Sequence, residues 1–282
     1  MTKNDFDCTD DTDGVVVCDI SDPDDARLDN FRDLNSIDRR PDLPSGKGLV
    51  IAEGVLVVQR MLASPFTPLA FLGTDRRLAE LAADLAGNPA PYYRVSAEVM
   101  AQVVGFHLNR GVLAASRRAP ERSIAEMVDG ARTVAVLEGV NDHENLGAIF
   151  RNAAGLDVDA VVFGSGCADP LYRRAVRVSM GHALRVPYAR AIDWPADLET
   201  LRQKGFRLLA MTPGADALPL PAAMAAVHGE RVAVLVGAEG PGLSRAALQA
   251  SDLRVRIPMS RGTDSLNVAT AAALAFYERA RA

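Results

Sequence analysis

Residues 231–243 read Arg231-Val232-Ala233-Val234-Leu235-Val236-Gly237-Ala238-Glu239-Gly240-Pro241-Gly242-Leu243. The first half is an apolar run with no polar residue alternating through it, which is how a strand reads when helices cover both faces of a parallel sheet. The second half is a glycine-rich turn that leads into a helical stretch, Pro241–Ala250. Such a turn lets backbone approach a ligand closely and offers free N–H groups at the start of a helix. Ligands of open α/β sheets bind beyond the carboxyl ends of the strands, so the residues after Val236 are where a site is expected. The glycine spacing is not GxGxxG, and no GxxxxGK[ST] occurs anywhere in the chain, so neither a dinucleotide nor an NTP phosphate site is supported.

Working outward, the same alternation fills residues 121–282. Strand-like runs at Thr133–Val140, Ala160–Gly164, Arg185–Ala189, Phe206–Thr212 and Leu253–Ile257 are separated by helical stretches at Asn145–Ala154, Pro170–Met180, Pro195–Lys204 and Ser265–Arg281. The fold class is therefore α/β, with a C-terminal, mostly parallel sheet flanked by helices. Two further loops at strand ends are unusual. After Val140, Asn141–Asn145 opens a helix on which Gly147 and Arg151 stand four apart, on one face, the glycine leaving room beside the arginine. A buried or half-buried arginine at the carboxyl edge of a sheet needs an anionic partner, which a structural acid supplies more often than a ligand does. After Ile257, Pro258-Met259-Ser260-Arg261-Gly262-Thr263-Asp264 leads to Ser265-Leu266-Asn267 at the mouth of an alanine-rich helix. Ser265 is the expected N-cap. Ala269, Ala271, Ala272, Ala273 and Ala275 imply close approach of another element, in the same chain or in a second copy.

Residues 26–120 read as a smaller α/β domain, with strand-like runs at Leu49–Ile51, Leu69–Leu72, Tyr92–Val95 and Gly111–Ala115 and helical stretches at Glu53–Leu62 and Asp75–Leu85. Ser116–Arg132 has the composition of a linker holding one helix. Residues 1–25 read as a disordered acidic tail: residues 1–30 carry ten Asp against Lys3 and Arg27, a local net of −8 in a chain whose total is −5. The remaining residues are therefore at +3, a balance that admits RNA as a partner.

An apolar content of 49% with 24% charged residues excludes a disordered chain. Val268–Phe276, the longest nearly uncharged apolar stretch towards the end, is far short of the roughly 20 residues of a membrane span, and no charged-then-apolar leader opens the chain. A cytoplasmic protein without membrane contact is expected. Cys8, Cys18 and Cys167 are odd in number and form no CxxC pair, so reduced, incidental thiols are expected rather than a disulfide framework or a zinc cage.

Other catalytic patterns fail. His143-Glu144 is not followed by the second histidine of HExxH, and Gly164-Ser165-Gly166 lacks the glycine two residues before the serine that a nucleophile elbow needs. His107, His143, His182 and His228 are scattered. Arg173, Arg174 and Arg177 form a basic stripe on the helix from Pro170, which suits either a phosphate backbone or pairing with acids elsewhere in the fold.

The three loops resemble, in order and type, the three motifs of the SpoU family of RNA 2′-O-ribose methyltransferases, TrmH-like members of the SPOUT superfamily. The matching segments are Asn145-Leu146-Gly147-Ala148-Ile149-Phe150-Arg151-Asn152-Ala153, Leu235 to Leu243, and Ile257-Pro258-Met259 with Ser265-Leu266-Asn267-Val268. The N-terminal part also looks like the small RNA substrate-binding domain found in rRNA-modifying members, through Ile51-Ala52-Glu53-Gly54 and Arg110-Gly111-Val112-Leu113-Ala114. The resemblance implies S-adenosylmethionine as methyl donor, a deep trefoil knot formed by the last two loops, a homodimer and no metal. It places Gly237, Ile257 and Leu266 on the cofactor largely through backbone groups, with Val236, Ala238 and Met259 in the same loops. It makes Asn145, Arg151, Glu239, Ser265 and Asn267 the catalytic and RNA-orienting set, and the stripe Arg173, Arg174 and Arg177 a holder of flanking RNA phosphates.

The partner implied is RNA and not DNA, since only RNA has the 2′-hydroxyl, with rRNA favoured over tRNA because of the second domain. A non-catalytic RNA-binding or assembly factor retaining the fold is the alternative from another class. Two departures from the family pattern stand out: His143 where proline is common, and Asp157 where glycine usually follows the motif helix.

Overall fold

The computed structural model describes residues 8–10, 14–34, 47–260, 263 and 265–282. The first part of the chain holds β1 (Cys8–Asp10), β2 (Val16–Asp19), β3 (Leu49–Glu53), α1 (Val55–Leu62), β4 (Pro68–Gly73), α2 (Asp75–Leu85), β5 (Tyr92–Arg94), α3 (Ala97–Val104) and β6 (Val112–Arg117). It continues through α4 (Ile124–Met127), β7 (Thr133–Glu138), α5 (His143–Gly155), β8 (Ala160–Phe163), α6 (Arg173–Val178), β9 (Tyr188–Arg190), α7 (Leu198–Gln203) and β10 (Phe206–Met211). The last elements are β11 (Leu218–Pro219), α8 (Leu220–Ala226), β12 (Arg231–Gly237), α9 (Arg245–Ala250), β13 (Leu253–Arg256) and α10 (Val268–Arg281).

Two compact units result, Met1–Ala119 with Leu171–Arg185, and Pro120–Pro170 with Val186–Ala282. One boundary between the units falls after Ala119, and Leu171–Arg185 folds with the first unit and not with the second. The cause is a buried acid. Glu53, at the end of β3 and 4% exposed, accepts from Arg173 Nη1 at 2.7 Å and has Arg110 and Arg177 at 3.8 and 3.9 Å. Arg173 also lies over the Phe106 ring. Of the basic stripe, Arg173 is thus withdrawn into an ion pair and a cation–π contact, Arg177 is half-buried beside the same carboxylate, and Arg174 is exposed.

The sheet of the first unit has the order β1-β2-β5-β4-β6-β3, with β2, β5 and β4 parallel and β6 antiparallel to both its neighbours. The expected disordered tail is corrected here. Val15, Val17, Cys18 and Ile20 are buried, because the β-branched run Val15-Val16-Val17 fits a pleated surface whatever the acids around it do. Several of those acids are paired. Arg94 bonds both oxygens of Asp19 at 2.6 and 2.7 Å, and this contact holds the Asp19 carboxyl below the usual carboxylate range. Residues 1–7 and 11–13 of the expected tail lie outside the described residues. Cys8 and Cys18, expected as free thiols, stand opposite each other on β1 and β2 and are joined in a disulfide, while Cys167 is free.

The second unit is a seven-stranded parallel sheet in the order β11-β13-β10-β12-β7-β8-β9. β12 lies at its centre with Val232–Val236 buried, as the unbroken apolar run requires. The alanines of α10 are used within the chain: they let the helix lie against α5 and β12, and Asn152 Nδ2 donates to Ala269 O at 3.1 Å. β11 and α8 carry no clear mark in the sequence, since Pro219 and Pro221 read as breakers while in fact they stand before and within the first turn of α8, where a missing N–H costs nothing. Among the described residues no helix is long and apolar enough to cross a membrane.

Removing one partner of a buried ion pair leaves the other charge uncompensated, at a cost of about 3 kcal/mol or more. Glu53→Ala is therefore expected to lower the unfolding free energy from urea titration followed by circular dichroism by that amount, and Arg177→Ala by a small fraction of it.

Candidate active site

The carboxyl ends of β7, β10, β12 and β13 open onto one edge of the second unit's sheet. At this edge α5 begins, capped by Asp142, whose side chain accepts from the N–H groups of Glu144 and Asn145 at 2.9 and 2.8 Å. His143 occupies the first helical position, where a proline of the family pattern would also sit. Asp157, the other departure, has a φ of 54°, so the left-handed turn usually left to glycine is made here by an aspartate, one of the few residues that tolerates it.

The cap of α10 is a correction. Ser265 is exposed and outside the helix, and Asn267 is the N-cap: its Oδ1 accepts from the N–H groups of Ala269 and Thr270 at 3.0 and 3.2 Å. With the oxygen committed to backbone donors, the Nδ2 of Asn267 must point the other way. It donates to Asn145 Oδ1 at 2.7 Å and to Glu239 Oε1 at 2.8 Å. The same Glu239 oxygen accepts from Asn145 Nδ2 at 3.1 Å. Three side chains, from the first turn of α5, the loop after β12 and the cap of α10, thus close a ring of hydrogen bonds, and Glu239 Oε2 has no hydrogen bond among the described residues.

Beside this ring lies a cavity of about 370 Å³, a size within the range for small-ligand pockets. Val236, Gly237, Ala238, Ile257, Met259 and Leu266, all expected from the sequence, line it. Glu239, Ser265 and Asn267 face it as well. The sequence reading missed Met211, Thr212 and Pro213 on the same wall. The signal available was positional: β10 ends between β12 and β13, so its loop reaches the same edge. Of the third loop, Arg261, Gly262 and Asp264 lie outside the described residues.

Gly237 owes its identity to packing. A Cβ there would stand 2.2 Å from the Gly242 carbonyl carbon and the Leu243 nitrogen, so the loop returns directly over a bare Cα. Gly240 and Gly242, with φ of 86° and 69°, make the turn, and Gly242 N donates to Ala238 O at 3.0 Å.

Arg151 is neither in the ring nor on the cavity wall. It is exposed on α5 and makes no hydrogen bond or ion pair among the described residues. Cys167 lies near the end of β7, with its sulfur 3.3 Å from Leu137 O, and burial pushes its thiol up from the ordinary value.

Two outcomes follow from this geometry. Gly237→Ala should destabilise the protein by about 1–3 kcal/mol in thermal unfolding, the usual cost of forcing a methyl group into filled space, and an unchanged melting temperature would show that the loop does not return over Gly237. Alkylation of Cys167 by iodoacetamide at pH 8 should be at least about tenfold slower than that of a small thiol, because less thiolate is present and it is partly buried.

Residues 132–277 match the family model of the SpoU rRNA Methylase family. An uncharacterized tRNA/rRNA methyltransferase of Mycobacterium bovis is 78% identical over 274 residues, covering 97% of this chain and 95% of the relative. The 23S rRNA (guanosine(2553)-2′-O)-methyltransferase RlmP of Bacillus subtilis is 33% identical over 167 residues, 58% of this chain and 63% of that protein. The AdoMet-bound rRNA methyltransferase of Sinorhizobium meliloti has the same fold, with a TM-score of 0.79 at 21% identity over 94% of this chain and 98% of that one. The three motif loops that meet at the sheet edge lie within the matched region, and the chain belongs to the SpoU rRNA methylase family.

Proposed function

We propose that this protein transfers the methyl group of S-adenosylmethionine to a ribose 2′-hydroxyl of structured RNA. The observation that carries the reading is the ring Asn145–Glu239–Asn267 at the mouth of a cavity walled by glycine-rich backbone and apolar side chains. The cavity residues fit the methyl donor: Val236, Ile257, Met259 and Leu266 suit the apolar faces of an adenosine, and the glycine loop lets backbone groups come close to its polar edges. When bound, S-adenosylmethionine supplies an electrophilic methyl group on a sulfonium.

The chain's own residues must then align the hydroxyl with that methyl group and favour loss of its proton. Asn145 and Asn267 are held in fixed orientations by Glu239 and by the α10 backbone, so they offer preset polar groups to a ribose. A guanidinium is a poor general base, so this reading does not give Arg151 the task of taking the hydroxyl proton. Its role in this reading is to stabilise the alkoxide that develops on the ribose oxygen, and its guanidinium, exposed on α5, supports that.

The Bacillus subtilis relative acts on the 2′-O of a 23S rRNA guanosine, which supports rRNA over tRNA as the substrate pool. Arg174, exposed on α6, is the member of the basic stripe offered to flanking phosphates. The trefoil knot of the family, formed by the loops after β12 and β13, and a cytoplasmic homodimer belong to the same proposal; Leu274 and Tyr277, exposed on α10 at 39% and 51%, support α10 as the dimer face.

Transfer of labelled methyl to unmodified rRNA and, separately, to tRNA tests the reaction, with nuclease mapping of the labelled nucleotide. Label on a ribose of one pool is expected, and Arg151→Ala should lower the rate by about a hundredfold or more while leaving affinity for the methyl donor intact. Loss of both label and donor binding in the unmodified protein would turn the reading to an RNA-binding factor. Light scattering should give about twice the 30.0 kDa of one chain, and a mass of one chain would remove the dimer.

A further inference from the structure

Glu138, the last residue of β7, is 8% exposed and takes no part in the ring. It lies directly beside Gly237 in the parallel register of β7 and β12, so its side chain leaves the sheet on the face where Gly237 has none. Each of its oxygens accepts one N–H. Oε2 takes the backbone N–H of Ser244 at 2.7 Å, and Oε1 takes the indole N–H of Trp194 at 2.5 Å. Ser244 is both the end of the glycine-rich loop and the N-cap of α9, with its Oγ accepting from Ala247 N at 3.1 Å. Trp194 is held in turn, packed so closely over Gly164 that a Cβ there would meet its ring at 2.7 Å.

The loop therefore leaves β12 at Gly237, folds back over the bare Cα of that residue, and is caught at Ser244 by a carboxylate from the neighbouring strand. Between these two ends lie Ala238, Glu239 and Gly240, which face the cavity. A segment with glycine at 237, 240 and 242 has much backbone freedom to lose, and that loss falls on ligand binding unless the segment is already ordered. We infer that Glu138 is a positioning residue for the methyl-donor loop: through Ser244 it sets the loop's return, and with it the backbone and the Glu239 carboxylate that face the donor, before the donor arrives. This rests on the methyl-donor reading of the cavity.

A carboxylate is required because two donors face it. Glutamine, nearly the same in shape, turns an NH₂ towards one of those N–H groups and loses one of the two bonds. Its amide fits again once the indole N–H is removed. Isothermal titration of the full chain with S-adenosylmethionine, together with steady-state kinetics on the RNA substrate, separates positioning from simple structural support. Glu138→Gln is expected to weaken donor binding by about tenfold, the effect of losing a hydrogen bond to a charged group, with the larger share of the kinetic loss in the KM for the donor. In a Trp194→Phe background the same change should weaken binding by less than about threefold.

Equal donor affinity in the wild-type protein and Glu138→Gln, even with a lowered melting temperature, would overturn the positioning role, and so would equal effects of Glu138→Gln in both backgrounds. Should Glu138→Gln fail to fold, Trp194→Phe alone carries the test, with an expected weakening of about threefold; unchanged affinity there would overturn the role as well. No donor binding by the wild-type protein would instead overturn the reading of the cavity, and the inference with it.

Discussion

The amide of Asn267 is divided between two tasks, and the site depends on the division. Its oxygen stops α10 by accepting from Ala269 and Thr270, and its nitrogen reaches Asn145, 122 residues earlier in the chain. A helix cap is usually a local matter of about 1 kcal/mol. Here the cap also fixes which way an amide nitrogen faces, and so carries the geometry of one helix end into the opening of another. Asp142 performs the matching task on α5, holding the first turn from which Asn145 projects. Both helices are in turn packed on each other, so the ring rests on a helix pair as well as on its own hydrogen bonds.

Backbone packing supports the other half of the site. Gly237 is required where two stretches of main chain meet within contact distance, and the cavity wall is accordingly built from main chain and small apolar groups rather than from long polar side chains. A wall of that kind holds its shape without depending on rotamers, and it distinguishes ligands by contour and by backbone hydrogen bonds. The polar, orientable groups are gathered at the mouth. This separation of an inert, preset wall from a polar rim is what a reaction between two bound partners calls for, one held by the wall and the other met at the rim.

How much of this the sequence disclosed depended on the range over which each signal acts. The parallel sheet was legible because Val232–Val236 carries burial on both faces in its own composition. The loops after Val140, Val236 and Ile257 were legible because glycine, asparagine and arginine at strand ends have few structural reasons to be there. Signals of the same strength in competition were not resolved locally: Ser265 and Asn267 are both good N-caps, and only the distant Asn145 and Glu239 decide between them. The acidic leader misled because charge was averaged over residues 1–30, while the strand signal was confined to Val15–Cys18. Glu138 and Met211 to Pro213 went unmarked, since a single acid and an ordinary strand end acquire meaning only from what the fold sets beside them. The destination of α6 was hidden for the same reason, its partner Glu53 being 120 residues away.

That last feature bears on inheritance. The unit boundaries fall after Ala119, Pro170 and Arg185, so the polypeptide passes between the units three times where a tandem array of domains would pass once. A genetic break in the linker would give one fragment that buries an acid without its cation and another that carries Ala175 and Val176 on a helix stripped of its cover. Neither fragment is a module that recombination could pass to another protein intact. Exchange of the first unit would therefore have to replace two separate stretches of the gene, the N-terminal part and the insert Leu171–Arg185, at once.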